Sequence, residues 1–356
     1  MPIFSIVLAL LFGAVLLALA GANPWQTYRA MLEGAFGTPA QWADGEYYAV
    51  VETLVKAVPL MLTGLSVAIA FRMRFWNIGA EGQLVMGGIA AAGVALFFPT
   101  FFSFLPESRW IYLPLMFVAA VLAGALWALI PALLKAYLKV DEIITTLMLN
   151  YIAILYYRYL FNVAWKDPEG FGFPGTALMP EFTWLPRISG RLHWGIFIAI
   201  LAAIFVWILM DRTRAGYEIR LIGENVNAGR YAGVSLAFNI LLVMILSGGL
   251  AGLAGMSEVS GISHRLQQGL AVGSGFTGII VAWLAKLNPL GVLLVAVLMA
   301  SLLVGGEQIQ ITMGLPSSVS LVLQGAILLF VLGGDIFSRY RLRVVRQVSE
   351  PAGQGD

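Results

Sequence analysis

The sequence predicts an all-α fold, a polytopic membrane helical bundle of about ten transmembrane helices, on three observations. Hydrophobic residues make up 60% of the 356-residue chain and charged residues only 11%, with a mean hydropathy of +0.87. A soluble domain of this length needs far more charge to cover its surface. The apolar residues also come in runs of membrane-spanning length, ~20 residues, rather than in short patterned stretches. Finally, the basic residues fall unequally on alternate connections between these runs, as they do in multi-pass proteins.

The first run, 3–22, carries no charge and is long enough to span. It ends in Ala20, Gly21 and Ala22, which resembles a signal-peptidase site. The run is long for a signal core and no Lys or Arg precedes it, so we expect a retained first helix. Further segments follow at 53–71, 80–102, 111–134, 142–163, 194–210, 236–256, 270–286, 289–305 and 317–337. The eighth is short and rich in Gly and Ser, which fits either a broken transporter helix or close helix packing. No soluble domain or long linker interrupts the chain, so 1–356 reads as a single transmembrane domain.

Orientation follows from Lys and Arg. With both termini cytoplasmic, the inner connections and tail hold thirteen, among them Arg72, Arg74, Arg212, Arg214, Arg220, Arg230, Arg339, Arg341, Arg343 and Arg346. The outer connections hold six: Arg29, Arg109, Lys166, Arg187, Arg191 and Arg265. The outer loops 23–50 and 164–193 carry Trp25, Trp42, Trp165 and Trp184, aromatic residues suited to anchoring at the membrane interface.

Several function classes are excluded. A net charge of +2 gives no footprint for nucleic acid. There is no cysteine and the two histidines are His193 and His264, too few for a metal cluster. No Lys is followed by Ser or Thr, so the chain lacks a phosphate-binding loop. With no catalytic constellation either, the sequence calls for no cofactor and describes a transport subunit rather than an enzyme. Any ATP-driven step requires a separate ATPase.

Polar groups at membrane depth are costly unless they are paired or face a cavity. Asn77, Glu81 and Gln83 begin the third span. Asn77 is placed to cap it, and Glu81 to sit in its first turn or pair with Arg72 or Arg74. Thr146 and Asn150, four apart on the fifth span, share a face, with Tyr151 beside them. These six are the candidate pathway residues, although such groups also glue helices together. Glu307, Gln308 and Gln310 fall near the outer end of the ninth span.

The longest charged inner connection is 211–233, punctuated by Gly216, Gly223, Gly229 and Gly233. Asn225 is a good N-cap for a short helix over 226–232. Isolated, so short a helix is marginal, and it gains stability when packed on another protein. Thr213, Arg214, Gly216, Arg220, Gly223, Asn225, Ala228 and Gly233 form a pattern that resembles the cytoplasmic loop of ABC importer permeases for simple sugars and nucleosides, the ribose-type family related to branched-chain amino-acid permeases. Two further stretches resemble its nucleoside branch: Phe75, Asn77, Ile78, Gly79, Ala80, Glu81, Gly82 and Gln83; and Glu142, Ile144, Thr146, Met148, Leu149, Asn150 and Tyr151. Trp76 departs from that pattern, where smaller residues are common.

The resemblance implies a permease subunit forming half of a translocation pathway for nucleosides or related sugars. It implies that Glu224, Asn225, Ala228, Arg230 and Tyr231 form a coupling helix that seats in an ATPase subunit with two fused nucleotide-binding modules. It implies also a second permease chain, identical or paralogous, an extracytoplasmic substrate-binding lipoprotein, and a bacterial cytoplasmic (inner) membrane location. The competing readings are an ion-gradient-driven secondary transporter, with Glu81 as its carboxylate, and an ABC permease for ribose-like sugars or branched-chain amino acids.

Overall fold

The computed structural model describes residues 2–339. The basic tail residues Arg341, Arg343 and Arg346 lie outside the described residues. Helix α1 (Pro2–Leu19) turns at Gly21 into α2 (Pro24–Phe36), whose start is capped by Asn23 Oδ1 accepting from the Trp25 and Gln26 amides at 3.0 and 3.3 Å. The two directions differ by 116°. A capping box of Thr38 and Gln41 then starts α3 (Pro39–Ala43). The stretch expected as a loop at 23–50 is therefore largely helical. Its caps are local and strong, but its charges, including the Arg29–Glu33 pair at 2.8 Å, hide the apolar stripe from a hydropathy reading.

The chain continues through α4 (Tyr48–Arg72), α5 (Ala80–Phe101), α6 (Arg109–Leu138) and α7 (Glu142–Tyr159), the last extended by a π turn at Leu160–Ala164. A two-stranded hairpin, β1 (Arg187–Ser189) and β2 (Leu192–His193), precedes α8 (Gly195–Arg212). Two helices fill the next connection, α9 (Arg214–Glu224) and α10 (Val226–Tyr231). Then come α11 (Leu236–Glu258) with a π turn at Val259–Ser263, α12 (Ser274–Leu284), α13 (Pro289–Met313) and α14 (Ser318–Arg339).

Seven of these helices are long and apolar enough to cross a membrane, or eight if the bent α1–α2 pair is one span. The expected segment at 270–286 appears as a shorter apolar helix, Ser274–Leu284, and that at 317–337 as α14, apolar over Ser318–Val331. The chain is a multi-pass membrane protein and an all-α bundle.

Small residues set the packing. Helix α11 crosses α6 at Gly124, Gly248 and Gly252, where a side chain on Gly248 or Gly252 would meet the α6 backbone. Such stripes let helix backbones approach where lipid supplies no hydrophobic drive. Burial ranks the helices: the apolar window of α4 is 89% buried, whereas those of α6 and α7 are 28% buried. Helix α4 is thus the axis of the bundle, and α6 and α7 present apolar flanks.

Candidate functional site

The helices enclose a cavity of about 840 Å³ at the end of the bundle carrying the 23–47 and 164–194 connections. Helix α4 supplies Glu52, Lys56, Pro59 and Leu60, α11 supplies Glu258, and α13 supplies Glu307 and Gln308. Gln267 to Thr277, the stretch that breaks before α12 and enters it, closes another side. Two ion pairs brace the wall: Lys56 Nζ to Glu307 Oε1 at 2.8 Å, and Arg191 Nη1 to Glu52 Oε2 at 3.0 Å. The volume suits a small organic solute.

None of the six candidate pathway residues lines this cavity. Five of them are buried, and four of these, Asn77, Gln83, Thr146 and Asn150, form one hydrogen-bonded clamp around the turn before α5. Asn77 and Gln83 exchange two side-chain bonds of 3.1 Å each, and Asn77 Nδ2 also donates to Ser247 Oγ at 2.9 Å. The Ile78 amide donates to Thr146 Oγ1 (3.3 Å), while Asn150 accepts from the Gly82 amide and donates to the Ile78 carbonyl, both at 2.8 Å. The residue that caps α5 is Gly79, without a side-chain bond, and not Asn77 as expected; Asn77, two residues upstream of the cap, accepts from the Gly79 amide at 2.9 Å.

Glu81 pairs with neither Arg72 nor Arg74. Its carboxylate accepts from the backbone amides of Gly273 and Gly275 at 2.8 and 2.6 Å. The physical reason is that a helix begun inside the bundle exposes orphan N–H groups, and a buried carboxylate satisfies them best. Gly273 and Ser274 line the cavity, so Glu81 fixes one cavity wall from behind. Arg72 donates through Nε and Nη2 to the Leu287 carbonyl at 3.2 and 3.1 Å. Tyr151 is 57% exposed on the flank of α7. Trp76 stacks on Trp283 of α12, with ring centroids 5.9 Å apart, which gives the unusual residue a packing partner.

The cavity residues Glu52, Glu258 and Arg191 were not singled out by sequence reasoning. Their signal was available: Glu52 and Lys56 lie one turn apart at the head of a span, and Glu258 interrupts the apolar run after 256. The partners lie far apart in sequence, so no local pattern joins them.

At the opposite end, the 211–233 stretch is built around α9 and α10. Thr213 caps α9 through the Gly216 amide at 3.2 Å, and Arg220 reaches back to the Met210 carbonyl at 2.6 Å and Asp211 at 2.9 Å. Gly223 packs flat on the Arg72 carbonyl at the end of α4, where any side chain would collide with backbone. Asn225 caps α10 as expected, accepting from the Asn227 and Ala228 amides at 2.9 and 3.2 Å. Gly229 is buried against Ile222, and Gly233, at φ 72°, ends the unit. Glu224, Arg230 and Tyr231 stay exposed, Tyr231 at 95%.

Residues 49–332 match the family described as branched-chain amino acid transport system / permease component. The chain belongs to this family. Among similar members of this permease family is the guanosine ABC transporter permease protein of Bacillus subtilis (strain 168), 36% identical over 97% of this chain and 94% of its own length. The glucose ABC transporter permease protein of Haloferax volcanii is 33% identical over 96% of this chain and 89% of its own. The nucleoside ABC transporter permease protein NupB of Lactococcus lactis is 30% identical over 93% and 89%. A member of this permease family is a transport component, not an enzyme.

Proposed function

We propose that this chain is the membrane-spanning permease subunit of an ABC importer that carries nucleosides, or closely related sugars, across a bacterial cytoplasmic membrane. The observation that carries this reading is the near full-length similarity to permeases named for guanosine and for nucleosides. The two nucleoside-like signatures form the buried clamp before α5, which supports assigning them to the architecture of the pathway. The glucose permease keeps sugars within reach.

In this reading the bundle has ten membrane segments, with α12 and α14 completing the count, and both termini are cytoplasmic. An ATPase subunit with two fused nucleotide-binding modules takes the exposed face of Glu224, Arg230 and Tyr231. A second permease chain, identical or paralogous, completes the pathway; Tyr151, on the α7 flank, serves it only where such a chain faces it. A substrate-binding lipoprotein delivers solute to the cavity end.

Closure of the ATPase modules pushes α9 and α10. The flat contact of Gly223 on the Arg72 carbonyl passes the displacement to α4, and the Arg72 guanidinium passes it to the turn between α12 and α13. Both structures carry cavity residues at their other ends. Asn77, Glu81, Gln83, Thr146 and Asn150 act beside the pathway in this scheme, holding its wall in register.

The test is uptake of labelled guanosine, uridine and ribose in cells with and without the gene, before and after ATP depletion. Gene- and ATP-dependent nucleoside uptake that excess ribose does not compete is expected. Ribose uptake alone would overturn the substrate class. Uptake that survives ATP depletion but collapses with the proton gradient would favour a secondary transporter.

A further inference from the structure

The charges on the cavity wall do not cancel. Among the described residues five carboxylates, Glu33, Glu46, Glu52, Glu258 and Glu307, face two cations, Lys56 and Arg191. Both cations are already committed, Lys56 to Glu307 and Arg191 to Glu52, and Glu33 is held by Arg29. Glu46 stands exposed on the connection before α4, at the mouth. Glu258 belongs to none of the ion pairs among the described residues, although it sits on α11, which packs against α4.

Local winding aims it inward. Directly after Glu258 the helix widens into the π turn Val259–Ser263, and Ile262 and Ser263 line the cavity with it. In a π turn, residues four and five apart share a face, and such turns recur where a helix serves a site. A carboxylate outside any of those ion pairs, facing a cavity inside a membrane bundle, is a site for a ligand that brings its own donors. Two parallel N–H or O–H groups fit its two oxygens.

We propose that Glu258 is a solute-reading residue of this cavity: it accepts a paired donor from a neutral solute, and the surplus negative charge around it turns away phosphorylated ones. The inference rests on the nucleoside reading and names the chemistry of its pathway. Two parts of a nucleoside offer such a donor pair, the vicinal cis-diol of the ribose and the N1–H and amino edge of a guanine base. An unphosphorylated nucleoside would pass where its monophosphate would not.

The absence of cysteine makes a direct experiment available. Gln268, on the cavity wall, is replaced by Cys in the purified full chain, with Tyr231→Cys as an exposed reference. Modification by cationic and anionic thiol reagents is timed and normalised to that reference. An acidic cavity concentrates cations, so the cationic reagent is expected to react about tenfold faster. The bias should shrink at least about threefold in Glu258→Gln and persist in Glu258→Asp, which also controls for misfolding. Guanosine should slow the labelling and guanosine monophosphate should not.

Loss of protection with 2′-deoxyguanosine assigns the donor pair to the diol, and loss with inosine assigns it to the base. Equal protection by all three nucleosides, or none by guanosine, overturns the proposal. So does a charge bias and protection unchanged in Glu258→Gln while cells carrying the wild-type gene take up nucleoside. If those cells take up no nucleoside, the proposed function itself has failed.

Discussion

Glu81 and Asn225 show what a single residue discloses in a sequence. Asn225 was legible as a cap because its bonds reach only to Asn227 and Ala228. Glu81 was legible as costly, but its true partners, the Gly273 and Gly275 amides, lie far along the chain, and the nearby arginines were the wrong guess. Replacing Glu81 by Ala leaves two buried N–H groups without acceptors, a cost of about 2–4 kcal/mol. The purified Glu81→Ala chain should melt several degrees below wild type, and an unchanged melting temperature would remove the carboxylate's bracing role.

The histidines beside the hairpin give a pH dependence. His193 is buried, and burial, reinforced by His264, Arg187 and Arg191, pushes its pKa down to about 4. His264 stacks on Trp184 at 3.9 Å and meets Arg187 at 3.2 Å; burial and that guanidinium hold its pKa below the ordinary value. A neutral His193 therefore contributes stability that is fully present above about pH 6.5, the ordinary histidine value, and is lost as pH falls toward 4. The loss reaches about 3 kcal/mol. Thermal melting of the purified chain between pH 7 and pH 4 should show the fall, and His193→Gln should flatten it.

At the scale of elements, the long apolar helices were readable because hydropathy alone defines them, and α4, α5, α6 and α11 begin or end within a few residues of expectation. Helices α2 and α9 were not readable as such. Both are short and charge-bearing, and their stability comes from caps and from packing rather than from a long apolar run. Helix α9 matters most, because Gly223 seats it on α4. Gly223→Ala forces a Cβ into the Arg72 carbonyl and should lower ATP-coupled uptake about tenfold, about 1.4 kcal/mol of coupling. Expression and ATP hydrolysis by the assembled complex should persist. Uptake equal to wild type would take the coupling route away from this contact.

Across the whole molecule, the two ends of α4 join what the sequence presented as separate features. Its one end bears Gly223 and the 211–233 stretch, and its other end bears Glu52 and Lys56 of the cavity. The nucleoside-like signatures were visible as motifs, yet their burial in a clamp beside the cavity depended on contacts between residues 68 to 194 positions apart. A linear reading sees polarity at depth and not the partner that satisfies it. The cavity itself was invisible to that reading, since its walls come from four widely separated segments.

The most direct measurement is accumulation of labelled guanosine in proteoliposomes carrying this chain with the ATPase, second permease and binding protein proposed for it. Accumulation should require ATP on the face that bears residues 211–233 and binding protein on the face that bears the cavity. Accumulation driven by an imposed proton gradient without ATP would contradict an ATP-coupled permease.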